Sequence, residues 1–248
     1  MIIHNQDAFT ARPSCVLLDL DNTLYAYAPC HEAGMQAAQD VASRTLNISE
    51  SDFLRCFADA RTDIKNRLGK TASSHSRLLY FQRLIEFAGL SFQPMEALEM
   101  EQAYWRTFLM ASTLHEEVID FLDDLRIANI PVVIVTDLTA QIQLRKIVYW
   151  RLDQYIDALV TSEEVPEDKP LPAMFELALA KLGGVEGKVW MIGDNPIADI
   201  EGAKQAINAV TLLKQYDDAA MSLENCKPDA VFTSFGDVRK MLSALLAK

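Results

Sequence analysis

Residues 14–18, Ser14-Cys15-Val16-Leu17-Leu18, form a short apolar run that ends directly in two closely spaced carboxylates, Asp19 and Asp21. A run with no polar alternation suits a strand buried on both faces, and strands of that kind belong to parallel sheets. Similar runs recur at residues 131–135, 155–160, 188–192, 209–213 and 230–232. Between and after them the spacing predicts helices at 116–126, 139–150, 171–182, 197–206 and 237–245. Strand–helix alternation of this kind predicts an α/β fold, a parallel sheet with helices on both faces.

The stretch after the first run breaks this rhythm. Residues 26–111 read as helical throughout, with segments at 31–45, 50–68, 74–88 and 94–110. Ser51 or Asn47 suits the cap of the second segment and Gly89 the stop of the third. The expected organisation is therefore an α/β core, residues 1–25 and 112–248, interrupted after its first strand by an all-helical domain, 26–111. One continuous α/β domain would have to lay all of those helices directly on the sheet.

Composition narrows the class. Half of the 248 residues are hydrophobic, enough for a sizeable core. No apolar run approaches the roughly 18 residues a membrane span needs. The first fourteen residues lack the charged and apolar pattern of a signal peptide. Cys15, Cys30, Cys56 and Cys226 have neither metal-ligand nor redox-motif spacing, and reduced thiols fit a cytosolic protein. The expectation is a soluble, cytoplasmic chain. Its net charge of −12 makes nucleic acid an unsuitable partner. Charge is uneven, however: Arg61, Lys65, Arg67, Lys70, Arg77 and Arg83 face only Asp63 between residues 61 and 83.

The chemistry lies where the apolar runs end. Two carboxylates beside a core are costly unless paired or metal-bound, and they resist joint ionisation. That asymmetry suits Asp19 as a nucleophile, which splits phosphate-ester hydrolysis into two steps through an aspartyl-phosphate, and Asp21 as acid then base. The plainer alternative makes Asp21-Asn22 a turn. Gly193-Asp194 follows another apolar run, and Asp199 lies one helical turn later, where it would also serve as a simple helix cap. With Asp19 and Asp21, Asp194 forms a hard oxygen set suited to Mg²⁺. Asp199 is placed to hold a metal-bound water or Lys169 from behind. Thr136, ending the 131–135 run, offers a hydroxyl to phosphate. Lys169, in the acidic loop 163–170, offers an ammonium that offsets carboxylate repulsion. Alone, each of these two is an ordinary strand threonine or surface lysine.

Taken together, the DxDNTL run, the strand-terminal Thr136, Lys169-Pro170 and the GDxxxxD run resemble the four motifs of the haloacid dehalogenase superfamily of hydrolases. The resemblance spans the α/β core, implies a Rossmann-like sheet, and makes the helical insert similar to that superfamily's C1 cap. It implies Asp19 as nucleophile, Asp21 as acid/base with its backbone carbonyl on Mg²⁺, Thr136 and Lys169 holding the phosphoryl group, and Asp194 on the metal. Dehalogenases of the family lack the acid/base aspartate, so Asp21 favours a phosphatase. Two departures stand out. Asp137-Leu138 replaces a frequent Asn-Gly, adding a carboxylate that suits a substrate hydroxyl or a helix end. Pro166 stands where glycine is frequent.

Substrate choice is expected to fall to the basic, hydroxyl-rich stretch 69–77, with Lys70, His75 and Arg77 as candidates. A solvated connection between helices is the alternative. The stretch also resembles the matching region of N-acylneuraminate-9-phosphatases. A small phosphorylated metabolite, a sugar phosphate or related acid, is the expected substrate. A phosphoglucomutase-like phosphotransferase and a catalytically idle binding protein on the same fold are the competing readings. His31 and His115 read as surface or packing residues.

Overall fold

The computed structural model describes residues 1–216 and 226–247. The chain divides into two compact units, Met1–Tyr25 with Leu114–Lys248, and Ala26–Thr113. This division falls two residues beyond the expected 111/112 boundary because Leu114 pairs with Tyr25 as an isolated bridge and so stays with the first unit.

The first unit contains a seven-stranded sheet. Its strands are β1 (Ile2–Ile3), β2 (Cys15–Leu18), β3 (Val132–Thr136), β4 (Ala158–Thr161), β5 (Val189–Gly193), β6 (Val210–Lys214) and β7 (Ala230–Phe232). They lie in the order β1-β7-β6-β5-β2-β3-β4. All pairings are parallel except β1 with β7, which is antiparallel. The parallel sheet expected from the alternation thus carries one antiparallel strand, β1, at its edge. Two residues are too few to show a period, and β1 is held only by the pairing of Ile2 with Val231 and Ile3 with Ala230.

Every residue of β2, β3 and β5 is buried, as a parallel sheet covered on both faces requires. One layer of core joins Leu17, Val133, Val135 and Met191 to Met174, Phe175 and Ala178 of a helix. Chain order reverses around β2, with β3 on one side and β5 on the other. Such a switch point opens a crevice at the carboxyl ends of the strands. Asp19, Thr136 and Asp194 all fall there.

Helices of the second unit are α1 (Tyr27–Leu46), α2 (Glu50–Leu68), α3 (Arg77–Phe87) and α4 (Pro94–Ala111). The cap of α2 is Ser49, whose hydroxyl accepts from the Asp52 backbone N–H at 3.2 Å, not Ser51 or Asn47. Asn47 instead closes α1 in the left-handed region, φ 55°. Phe53, Phe57, Phe81, Tyr104 and Phe108 fill this unit's core. Gly34 lets α1 approach α4, since a Cβ there would meet the Tyr104 ring at 2.9 Å.

The remaining helices are α5 (Val118–Ile127), α6 (Ala140–Tyr149), α7 (Ala173–Lys181), α8 (Gly202–Ile207) and α9 (Phe235–Leu246). One helix expected at 197–206 proves composite: a π-helical turn, Pro196–Glu201, precedes α8. Among the described residues no helix is long and apolar enough to cross a membrane.

Candidate active site

Asp19 follows β2 and its backbone N–H donates to the Ile192 carbonyl of β5 at 2.9 Å, which fixes it between the two strands. Its side chain is buried. Oδ1 accepts from Lys169 Nζ at 2.8 Å and Oδ2 from the Thr23 hydroxyl at 2.7 Å. Lys169 also donates to the Val135 carbonyl at 2.9 Å and to Asp199 Oδ1 at 2.6 Å, so its three protons have three acceptors. Asp199, within the π turn, accepts through Oδ2 from the Asn195 backbone N–H at 3.0 Å. Asp194 is half-buried and accepts from the Asn22 amide at 2.7 Å.

One oxygen each of Asp19, Asp194 and Asp199 lie within 4.8 Å of one another. Three carboxylates share the Lys169 ammonium, which leaves two negative charges uncompensated where burial makes charge expensive. The strain shows in the acids. Burial pushes Asp19 up to about 7, with Lys169 pulling the other way and Asp199 adding to the rise. Burial, then the neighbouring Asp19, pushes Asp194 up to about 6. Asp199 is likewise raised by burial against the pull of Lys169. Burial alone would lower Lys169, but Asp19, Asp199 and Asp137 hold it firmly charged. Two surplus charges and an all-oxygen donor set fit one hard divalent cation. The residues present therefore suit Mg²⁺, with Asp199 joining Asp19 and Asp194.

The carboxylate of Asp21 stands outside this trio. Oδ1 accepts from Lys146 Nζ at 2.5 Å and from the Tyr25 hydroxyl, and Oδ2 from the Gln143 amide at 3.1 Å. Burial would raise this acid, but Lys146 overrides it and holds Asp21 below the usual range. Thr136 is buried, and its Oγ1 accepts from Gln143 Nε2 at 2.8 Å. Asp137, the departure from the family pattern, accepts through Oδ1 from the Lys169 backbone N–H at 3.1 Å. It thus braces the loop that carries Lys169. Leu138, where glycine is frequent, has φ 109°, a conformation that disfavours any residue with a side chain. Its burial offsets that cost, and its N–H donates to the Ser162 hydroxyl at 3.0 Å.

Asp19, Asp21, Thr136, Asp137, Lys169, Asp194 and Asp199 line a common cavity of about 220 Å³. A larger concavity of about 780 Å³, between α5 and α9, has no clustered acids beside a buried lysine. Lys70, His75 and Arg77 belong to the helical unit. Lys70 is exposed and His75 is half-buried. The Arg77 guanidinium donates to the His75 carbonyl at 2.9 Å and to the Tyr27 hydroxyl. It also lies 5.4 Å from the ring centres of Tyr80 and Tyr104. Thr23 lies inside the DxDNTL run but carries no role there, and Tyr25, Gln143 and Lys146 lie outside all four motifs. Gln143 and Lys146, three apart on one helix face, are its one visible trace: two polar residues on the side that an α/β helix buries.

A carboxylate nucleophile candidate, an acidic trio around a buried lysine and a strand-end hydroxyl at a parallel-sheet switch point define a hydrolase suited to phosphate esters. Comparison with known proteins gives the family. Residues 13–206 match the haloacid dehalogenase-like hydrolase model, and the chain belongs to that family. It is 38% identical to the ribulose-1,5-bisphosphate 5-phosphatase of Halopiger xanaduensis, over 81% of this chain and 84% of that one. It is 26% identical to the N-acylneuraminate-9-phosphatase of Rattus norvegicus, over 79% and 80%. In fold it resembles a phosphatase of the family from Thermococcus onnurineus, with a TM-score of 0.68 over 92% of this chain and 97% of that one, at 23% identity. The enzyme acts on small phosphate esters.

Proposed function

We propose that this enzyme is a Mg²⁺-dependent phosphatase that passes the phosphoryl group of a sugar phosphate to Asp19 and then to water. The observation that carries the reading is the trio Asp19, Asp194 and Asp199 around the buried Lys169, with its two uncompensated charges. A bound Mg²⁺ would screen these charges and polarise a phosphoryl oxygen.

In this reading an oxygen of Asp19 attacks phosphorus, the P–O bond to the sugar breaks, and the departing alkoxide takes the proton that Asp21 gains when the negative charge of the bound ester offsets the pull of Lys146. Water then attacks the aspartyl-phosphate, its proton passes to Asp21, and inorganic phosphate leaves as Asp19 is regenerated. The Thr136 hydroxyl donates to a phosphoryl oxygen, and the Lys169 ammonium, held by Asp19, Val135 and Asp199, stabilises the phosphoryl charge beside it. The helical insert serves as the cap that selects the substrate. Arg77 is its leading cation, because a guanidinium surrounded by Tyr27, Tyr80, Tyr104 and Trp105 has aromatic faces but no carboxylate partner among the described residues. That favours a substrate with a second anionic group, such as a sugar bisphosphate or a phosphorylated sugar acid. The bisphosphate in the name of the Halopiger xanaduensis relative points the same way.

The test is hydrolysis of p-nitrophenyl phosphate and of a metabolite panel that includes ribulose 1,5-bisphosphate. Turnover should need Mg²⁺, vanish in Asp19→Asn, and leave an acid-stable phosphate adduct on Asp19 after rapid quench. Full activity in EDTA or in Asp19→Asn would overturn the mechanism. Phosphate release without any bisphosphate activator separates a phosphatase from a mutase.

A further inference from the structure

Lys146 is wholly buried on α6, and so is Gln143 one turn before it. A helix that covers a parallel sheet normally turns aliphatic side chains inward, and a buried ammonium is costly unless its charge is used. Both polar ends converge on the site. Lys146 Nζ lies 2.5 Å from Asp21 Oδ1. Gln143 Nε2 spans Asp21 Oδ2 at 3.1 Å, the Thr136 hydroxyl at 2.8 Å and the Asp137 carbonyl at 2.8 Å.

The two oxygens of Asp21 are treated unequally. Oδ1 accepts from both Lys146 and the Tyr25 hydroxyl, while among the described residues Oδ2 accepts only from Gln143. A carboxylate oxygen has two lone-pair directions, so Oδ1 is saturated and Oδ2 keeps one free. Through Gln143, the oxygen that keeps it is tied to Thr136.

We propose that Lys146 is a positioning residue for the leaving-group step: with Tyr25 it occupies Oδ1 of Asp21, so that Oδ2 is the oxygen presented to the substrate, in register with the Thr136 hydroxyl through Gln143. This inference rests on the reading of Asp21 as the proton-transfer group. The roles divide cleanly. Thr136 and Lys169 face the phosphoryl group, whereas α6 aligns the group that serves the departing alcohol. Misalignment by a fraction of an ångström would therefore penalise esters that need protonation on departure and spare those that do not.

The experiment compares kcat/KM of the whole enzyme, with Mg²⁺, on phenyl phosphate (a poor leaving group) and 2,4-dinitrophenyl phosphate (a good one). This constant reports the steps up to loss of the alcohol, so it reads the first half-reaction alone. Lys146→Met should lower kcat/KM for phenyl phosphate about 10- to 100-fold, a fraction of the general-acid contribution, mostly through kcat. For the dinitrophenyl ester the loss should stay below about threefold. Tyr25→Phe deletes one hydroxyl without opening a cavity and should give the same selectivity at a smaller size. It also keeps the test alive if Lys146→Met does not fold. Equal losses on both esters in the folded variants, or no loss on phenyl phosphate, would overturn the role of Lys146. Asp21→Asn separates the two levels: if it too penalises both esters equally, the acid role of Asp21 fails. If Asp21→Asn is selective and the Lys146 and Tyr25 variants are not, only the positioning inference fails.

Discussion

Nζ of Lys169 lies 2.8 Å from Oδ1 of Asp19, and both side chains are almost completely buried. The same ammonium holds Asp199 at 2.6 Å. Removing it leaves Asp19 and Asp199 with no ion-paired cation among the described residues, the situation in which breaking a buried pair costs about 3–5 kcal/mol. Lys169→Met should therefore lower the melting temperature and reduce kcat by at least about 100-fold, the scale of losing one preorganised charge stabiliser. Added Mg²⁺ should recover part of the thermal stability but not the turnover, because in the proposed mechanism the ion does not restore the cation that orients Asp19. Calorimetric melting with and without Mg²⁺, beside steady-state rates, reads both effects. Unchanged kcat would remove Lys169 from the site's chemistry.

Gly193 ends β5 where the chain must pass under Asp199. A Cβ at Gly193 would stand 2.3 Å from Asp199 Oδ2 and 2.5 Å from its Cβ, so even alanine displaces that carboxylate. The displaced group would lose its hydrogen bond from the Asn195 N–H and its hold on Lys169. Gly193→Ala should accordingly weaken Mg²⁺ affinity and kcat/KM about 10- to 100-fold, the range for disturbing a supporting ligand. Asp199→Asn, which keeps the shape and removes one charge, should weaken Mg²⁺ binding in the same direction. Isothermal calorimetry of Mg²⁺ on the two variants checks this. Affinity equal to the parent's in both would exclude Asp199 from the ion's surroundings.

The raised acids give metal binding a pH dependence of definite sign. Burial pushes Asp19 up to about 7 and Asp194 to about 6 in the metal-free site. Below those values the acids carry protons that a cation must displace. Apparent Mg²⁺ affinity should therefore rise from pH 5 to about 7 and level off above it, with proton release on binding in the lower range. Titrations at several pH values in buffers of different ionisation heat measure both quantities. Affinity independent of pH between 5 and 7 would contradict the assignment.

How much of this was visible beforehand follows from what each feature looks like in sequence. Buried parallel strands are contiguous apolar runs, so β2, β3 and β5 announce themselves, and the carboxylates that follow them mark the strand ends. Helix α2 runs over Glu50–Leu68, the very span that its periodicity predicts. What stayed hidden has no one-dimensional signature. Two residues make β1, below any period. The π turn at Pro196–Glu201, which carries Asp199, shares its composition with an ordinary helix start. Lys146 resembles any lysine on an amphipathic helix, and only its zero exposure separates it from a solvated one. The left-handed Leu138 is a constraint imposed by the fold on a residue whose type argues against it.

His31 supplies a stability test confined to the helical unit. Its Nδ1 lies 2.7 Å from the Tyr104 hydroxyl, and its ring packs against Tyr27 and Phe57. Burial, then the positive charges of Arg77 and Arg61, pushes its pKa from 6.5 down to about 4. The folded unit therefore keeps His31 neutral, while the unfolded chain binds a proton near pH 6.5. Between those two values the unfolded state holds more protons, so stability must fall as pH drops from about 6.5 to about 4 and contribute no further slope below. Above pH 6.5 both states are neutral and the contribution is flat. Replacement by His31→Phe, which retains an aromatic ring, should flatten this part of the profile while losing the hydrogen bond to Tyr104. Urea unfolding of parent and variant at pH 7.5, 6, 5 and 4, followed by the fluorescence of Trp105 in a background where Trp150 and Trp190 are replaced by phenylalanine, reads the difference. Parallel profiles for the two proteins would show that His31 titrates in the folded unit much as it does in the unfolded chain.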